Sequence, residues 1–449
     1  MKLYNTLSRT KEELIPLENG KVRFYSCGPT VYDIAHIGNL RTYIFNDLIK
    51  RVLRAGGFEV RHVMNITDVD DKTIKRSGGN RAELAKLTKR YEDRFWQDLK
   101  ELNVLMPDEI TRATEYIDVM VRFIEDLLRK GYAYRGADGS IYFSIDKFKD
   151  YGKLSGLEKE GVRAGARVNQ DEYTKESPAD FALWKAWDEA DGEVYWENSL
   201  GKGRPGWHIE CSAMASDALG ETIDIHTGAV DLIFPHHENE IAQSEARSSK
   251  PFSKYWVHGE HLLFDNQKMA KSLGNVVNLD TIKDEGYSPL DFRYLVLGAH
   301  YRSKLNFTWE GMQAAKNSRE RLVRIVSDLA CEEGSRPDDG SMKEFRNKLF
   351  DDLDIPGALA VLWTTLRSEE MPQSTKCATV KVMDETLGLG LFEEFRKVSI
   401  PAEVESLAQQ RLEARVAKDY ITADKFREEI ENLGWLVEDK ASGYELRRK

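Results

Sequence analysis

Between residues 22 and 66 the chain changes pattern twice, and that stretch restricts the fold more than any other. Val-Arg-Phe-Tyr-Ser-Cys at 22–27 reads as a short strand, closed by the turn Gly28-Pro29. From about His36 to Ala55, Ile37, Leu40, Ile44, Leu48 and Val52 then fall on one helical face. Gly56-Gly57 stops that helix, and Phe58 to Ile66 reads as a second strand. A strand, a helix and a strand in so short a span form a βαβ unit, so the sheet is expected to be parallel. Ligands of such sheets bind at the carboxyl ends of the strands. Cys27 to Asn39 and Thr67-Asp68 fall there.

With 449 residues the chain is too long for one core, and several domains are expected. No apolar run approaches the roughly 20 residues that span a bilayer, and Met1 to Thr6 carries no apolar signal core. A net charge of −11 argues against non-specific nucleic-acid binding, while leaving room for a local basic surface. Four cysteines, Cys27, Cys211, Cys331 and Cys377, are too few for a disulfide framework in a chain of this length. The expectation is a soluble cytoplasmic protein with free thiols. Cys331 and Cys377 have no His or Cys neighbours and read as small buried apolar residues.

The rest of the pattern divides the chain into three. Residues 81–130 read as helical and 131–205 as Gly-rich and irregular, so an insertion of about 115–205 is expected to separate two halves of the sheet. The sheet resumes near Ile223–His226, followed by a helix from Glu238 to about Arg247, a strand at Tyr255–His258 and a loop at 268–275. The expected fold is α/β: a Rossmann-like, doubly wound parallel-sheet catalytic domain over 1–305 that carries the insertion. An α-helical bundle follows over 306–400, where Trp309, Met312, Leu322, Ile325, Val326 and Leu329 keep helical register. A small α+β unit over 401–449 has one helix from about Ala402 to Glu431, capped at Gly434, and a hairpin pairing 435–437 with 444–446.

Three groups of residues carry chemistry. His36-Ile37-Gly38-Asn39 opens the first helix, where free N–H groups and a partial positive charge suit a triphosphate. Lys268-Met269-Ala270-Lys271-Ser272 sets two ammonium groups on a loop, able to stabilise a pentavalent phosphorus in the transition state. Cys27, Cys211, His236 and Glu240 offer two sulfurs, a nitrogen and an oxygen, a donor set suited to zinc. Spacing leaves one choice open, since His236 lies four residues and His237 three residues before Glu240.

The first two motifs resemble the paired His-Ile-Gly-His and Lys-Met-Ser-Lys-Ser signatures of class I aminoacyl-tRNA synthetases. Cys27-Gly28-Pro29-Thr30, Asn65-Ile66-Thr67-Asp68, Gly206-Trp207-His208-Ile209-Glu210-Cys211 and His236-His237-Glu238-Asn239-Glu240 extend the resemblance to the cysteinyl members of that class, over nearly the whole chain. Two positions depart from the pattern: Asn39 stands for the second His, and Ala270 for a Ser.

The resemblance implies ATP-dependent activation of L-cysteine and its transfer to the 3′ end of tRNA(Cys). ATP with Mg²⁺ would meet Pro29, His36, Gly38, Asn39, Lys268, Lys271 and Ser272, with Lys268, Lys271 and His36 acting on the phosphates. Thr67, Trp207 and Asp231 would line the cysteine site, His208 would help shape it, and one zinc ion on Cys27, Cys211, His236 and Glu240 would select the thiolate. The helical bundle and the terminal unit would hold the tRNA and its anticodon. Arg319, Arg321, Arg324, Arg411, Arg415 and the tail Arg447-Arg448-Lys449 are candidate contacts, and a monomer is expected.

Two rival readings remain at this level. A ligase could transfer cysteine to an amino sugar, although such enzymes resemble only the catalytic half. A catalytically silent zinc- or tRNA-binding relative would not need Lys268, Lys271, His36 and all four metal ligands intact.

Overall fold

The structure, a computed structural model, describes residues 1–157, 180–268, 276–392, 401–440 and 443–448. An N-terminal hairpin, β1 (Lys2–Asn5) and β2 (Thr10–Glu13), leads into β3 (Lys21–Ser26). Then come α1 (Ile37–Ala55), β4 (Glu59–Ile66), α2 (Asp71–Ser77), α3 (Arg81–Glu101), β5 (Glu109–Arg112) and α4 (Ile117–Arg129). After the insertion follow α5 (Trp207–Leu219), β11 (Ile223–Ala229), α6 (Glu238–Ser248) and β12 (Ser253–Gly259).

Strands β12, β11, β3, β4 and β5 lie in that order, and every neighbouring pair is parallel. The chain enters this sheet at β3, runs outward to β5, then returns to β3's other side at β11. That reversal is the switch point at which doubly wound sheets bind ligands. The N–H of Cys27 donates to Thr227 O at 3.3 Å across it.

The insertion forms its own sheet of five short strands: β6 (Ala133–Arg135), β7 (Ile141–Phe143), β8 (Phe181–Ala186), β9 (Trp196–Asn198) and β10 (Gly201–Pro205). They lie in the order β6-β7-β8-β10-β9, all antiparallel. One buried core joins Tyr25 and Val63 of the parallel sheet, Ile209 and Ile241 of α5 and α6, and Phe143 and Trp184 of the insertion. Helices Trp309–Ser327, Asp339–Phe350, Ile355–Arg367 and Gln373–Leu387 build the helical part.

Residues Met1–Gly390 and Leu391–Lys449 form two compact units. The second has its own small core of Val404, Ala408, Ile430, Trp435 and Val437. Among the described residues no helix is long and apolar enough to cross a membrane.

Three expectations need correction. The helical reading of 81–130 missed β5, a four-residue strand that pairs Val63 with Glu109 through Ile66 with Arg112. Its ladder with β4 makes it a strand, and four residues with charged ends carry almost no local signal. The helix expected from Ala402 to Glu431 is two helices, Ala402–Val416 and Tyr420–Asn432. Lys418 takes a left-handed φ of 60°, and the Asp419 carboxylate accepts the Thr422 N–H to cap the second helix. Cys331 and Cys377 are bonded to each other, with Cα atoms 5.4 Å apart across 46 residues of sequence. Cys331 lies on the connection after helix Trp309–Ser327 and Cys377 on helix Gln373–Leu387, a meeting that no local spacing could reveal.

Candidate metal centre and nucleotide site

Cys27 leaves the carboxyl end of β3, Cys211 faces it from the first turns of α5, and Glu240 reaches in from the first turn of α6. His236 lies in the irregular turn before α6, not on the helix itself. The four are 6%, 2%, 1% and 0% exposed in the order Cys27, Cys211, His236, Glu240, and their donor atoms converge. Cys27 Sγ is 3.8 Å from Cys211 Sγ and 3.7 Å from Glu240 Oε1, while His236 Nε2 is 3.1 Å from that oxygen. A tetrahedral zinc with ordinary bond lengths needs edges of about 3.8, 3.5 and 3.3 Å for these three pairs. The donor set therefore fits zinc in chemistry and in size.

A second set shares Cys27 and Glu240 but uses His226 and His237. His237 Nε2 is 3.3 Å from Cys27 Sγ, and its Nδ1 is hydrogen-bonded to His258 Nε2 at 2.8 Å. His226 Nε2 is 2.8 Å from Glu240 Oε2. The softer pair of sulfurs belongs to the set with His236, so His226 reads as a partner that holds the Glu240 carboxylate from behind. His236 is held in the same way: its Nδ1 meets His208 Nδ1 at 2.8 Å, and the Trp207 ring lies 4.2 Å from its ring.

The electrostatics suit a cation. Burial pushes the Cys27 thiol up, so its proton remains beside Cys211. Burial also opposes ionisation of Cys211, yet the Cys27 thiol and the His236 charge bring Cys211 down to about 6. Against burial, His226 and His236 hold Glu240 at about 2. His236 is raised to about 10 by Glu240 and Cys211, which outweigh burial. A divalent ion at the centre would take the place of the protons that His236 and Cys27 hold.

The nucleotide side is built from loop joints. His36 and Asn39 cap α1 reciprocally: His36 Nδ1 accepts the Asn39 N–H, and Asn39 Oδ1 accepts the His36 N–H, both at 3.2 Å. That leaves His36 Nε2 and Asn39 Nδ2 to reach a ligand. Ile37 donates to Val277 O at 2.9 Å, and His36 bridges Asn278, so the chain just after the lysine loop is fastened to the start of α1. Lys268 ends a two-residue strand whose backbone pairs with Leu263. Lys271 and Ser272 lie outside the described residues.

Gly28 sits where a Cβ would fall 1.6 Å from Asn65 O, so only glycine lets the turn after β3 close on β4. There Pro29 O accepts the Thr67 N–H at 3.1 Å. Thr67 in turn donates its hydroxyl to Glu210, next to Cys211, at 2.7 Å. Asp231 is exposed in the turn after β11, and its charge raises His36 against the larger effect of burial.

Two candidate RNA contacts are internal. Arg319 is buried and pairs with Asp291 at 2.6 Å, and Arg411 is buried and pairs with Asp439 at 2.8 Å. Their basic side chains serve packing, which a helix-face reading could not distinguish. Sequence reasoning also passed over Glu210, His226 and His258 as site residues. For the histidines the available signal was position, since His226 lies on β11, which borders the switch point, and His258 on the neighbouring strand β12.

A model of the catalytic domain of class I (C) tRNA synthetases matches residues 13–317. Solved structures share the fold. A methionyl-tRNA synthetase of Mycobacterium tuberculosis aligns with a TM-score of 0.56 at 15% identity, covering 82% of this chain and 90% of that one. An Agrobacterium radiobacter LeuRS, in a ternary complex with tRNA and LeuAMS, aligns with a TM-score of 0.61 at 11% identity and 86% of both chains. Sheet order, motif placement and family match together define a class I tRNA synthetase. Among curated relatives, the cysteine–tRNA ligase of Chlamydia felis is 46% identical over 99% of this chain and 97% of its own length. That of Protochlamydia amoebophila is 44% identical over 100% and 98%. The chain belongs to the cysteine–tRNA ligase family. Relatives that span its full length, helical part included, do not favour the amino-sugar or catalytically silent alternatives.

Proposed function

We propose that this enzyme activates L-cysteine with ATP and Mg²⁺ and transfers it to tRNA(Cys), reading the substrate through one zinc ion. The observation that carries the reading is that the donor atoms of Cys27, Cys211, His236 and Glu240 all lie within 4.8 Å of one another, with Cys27 just past the carboxyl end of β3. Zinc held there would supply a thiophilic Lewis acid for the substrate sulfur, on which a serine hydroxyl is a harder and poorer ligand.

The chain's own groups then position the reaction. The free N–H groups of α1, His36 Nε2 and Asn39 Nδ2 hold the triphosphate. Asp231 takes the substrate ammonium and Trp207 forms an apolar wall. The cysteine carboxylate attacks the α-phosphorus, the bond to the bridging oxygen breaks, and pyrophosphate leaves. Lys268 and Lys271 offset the charge that builds on the phosphates, which is where electrostatic catalysis contributes most. A hydroxyl of the terminal adenosine of the tRNA then attacks the activated carbonyl, and AMP leaves. Residues 306–400 and 401–449 serve the tRNA and its anticodon, with Arg321, Arg324 and Arg415 as the remaining helix-borne candidates. The enzyme works as a cytoplasmic monomer.

Pyrophosphate exchange tests this directly. Exchange should require cysteine and fall with chelation of the metal, and serine should support it at least 10⁴-fold more weakly, about the discrimination expected of a site that reads one group directly. Cys211→Ser should erode the preference for cysteine while leaving ATP binding intact. No exchange with metal loaded, or unchanged selectivity in Cys211→Ser, would refute the reading.

A further inference from the structure

Glu210 is a buried carboxyl for which the two-step reaction has no use. It sits on α5, three residues after Trp207 and one before Cys211, so the first turns of that helix aim three side chains at the site. Its Oε2 accepts the hydroxyl proton of Thr67 at 2.7 Å, with Glu210 1% and Thr67 2% exposed.

The backbone of Thr67 is held from both sides. Its N–H donates to Pro29 O at 3.1 Å, and its carbonyl accepts the Val31 N–H at 3.2 Å. Only the side-chain rotor and the direction of its proton remain to be set. A hydroxyl has one donor and two acceptor sites. The donor goes to Glu210, and Asn65 Nδ2 offers a long contact of 3.4 Å to one acceptor site. What Thr67 can still present is a lone pair.

Cysteine bound as a thiolate and carboxylate has a single donating group, its ammonium. We propose that Glu210 is a positioning residue: by holding the Thr67 proton it turns Thr67 Oγ1 into an acceptor for the substrate ammonium. The inference rests on the placement of Thr67 in the cysteine site. It assigns the ammonium two partners of different kind, the Asp231 charge and an oriented neutral oxygen.

The test uses the full-length, metal-loaded enzyme in pyrophosphate exchange. Glu210→Leu removes the acceptor at similar volume, Glu210→Gln keeps an amide oxygen able to take the same proton, and Thr67→Val removes the hydroxyl. Glu210→Leu should raise the cysteine KM about tenfold, with the ATP KM, the metal content and the thermal midpoint unchanged. Glu210→Gln should restore the KM to within about threefold. Adding Glu210→Leu to Thr67→Val should cost nothing further. The competitive inhibition constant of 3-mercaptopropionate, which has the thiol and carboxylate but no ammonium, should not move. The proposal is overturned if Glu210→Leu leaves the cysteine KM unchanged, weakens 3-mercaptopropionate equally, depletes the metal, or adds to Thr67→Val. If Thr67→Val itself leaves the cysteine KM unchanged, the placement of Thr67 is wrong. If Thr67→Val weakens cysteine and Glu210→Leu does not, only the orienting role falls.

Discussion

Asp47→Asn should unfasten the helical part of the enzyme from the helix that carries the phosphate motif. Asp47 lies on α1 and is fully buried, as is Arg293, while Arg51 is 8% exposed at its side chain. Its carboxylate takes Arg51 Nε at 2.9 Å, an Arg293 terminal nitrogen at 2.5 Å and the Leu105 N–H at 2.8 Å. The arginines also donate to backbone carbonyls of Glu385, Leu387, Leu102 and Asn103, which ties the end of helix Gln373–Leu387 to the parallel-sheet domain.

Removing the one carboxylate leaves two buried guanidinium groups facing each other. Breaking a buried pair in this way costs about 3–5 kcal/mol. The four carbonyls survive the change and the asparagine oxygen can still accept, so the low end, about 3 kcal/mol, applies. At roughly 2 °C per kcal/mol for a large domain, the thermal midpoint should fall by about 6 °C. Scanning calorimetry at one fixed scan rate and metal loading measures it. Asp47→Asn combined with Arg293→Met removes the surplus charge and should recover part of the loss. A drop below about 2 °C, or a double variant as unstable as the sum of the singles, would refute the reasoning.

Gly28→Ala forces a Cβ onto Asn65 O at 1.6 Å and should cost about 3 kcal/mol or more. Because Cys27 is its neighbour, metal content per folded chain should fall with it, as read by elemental analysis. His62, buried and hydrogen-bonded to Ser26 at 2.8 Å, is depressed to about 3 by burial and by the Lys50 charge. The unfolded chain takes up that proton near pH 6.5 and the folded one does not. Stability should therefore fall by about 2 kcal/mol from pH 7 to 5 through this group, and His62→Gln should flatten that limb in urea titrations. Thiol titration of the denatured, unreduced protein should count the two free cysteines Cys27 and Cys211, and all four after reduction.

The parallel sheet was legible because β3, α1 and β4 each carry a local period, and their spacing allows little but a right-handed crossover. The strand that follows α3 was not, since β5 is a strand only by virtue of its ladder with β4. The break at Lys418 was signalled faintly by Asp419, a capping residue inside an otherwise continuous helical pattern. Arg319 and Arg411 show the opposite failure: a charge on a helix reads as exposed until the packing puts an aspartate against it.

The amino-acid sequence by itself determined the first strand-helix-strand unit of the sheet and the chemical kinds at the site: two sulfurs, imidazole, carboxylate, two lysines and a helix N-terminus. Those are local properties, set by periodicity and donor type. Tertiary structure brings both His236 and His237 to Cys27 and Glu240, and only the group with His236 also contains Cys211, on another helix. It also decided that Cys27 and Cys211, 184 residues apart, meet at a zinc-sized edge, and that Thr67 gives its proton to Glu210. Such distances depend on strand register and helix packing across the whole sheet, and no window of sequence contains them.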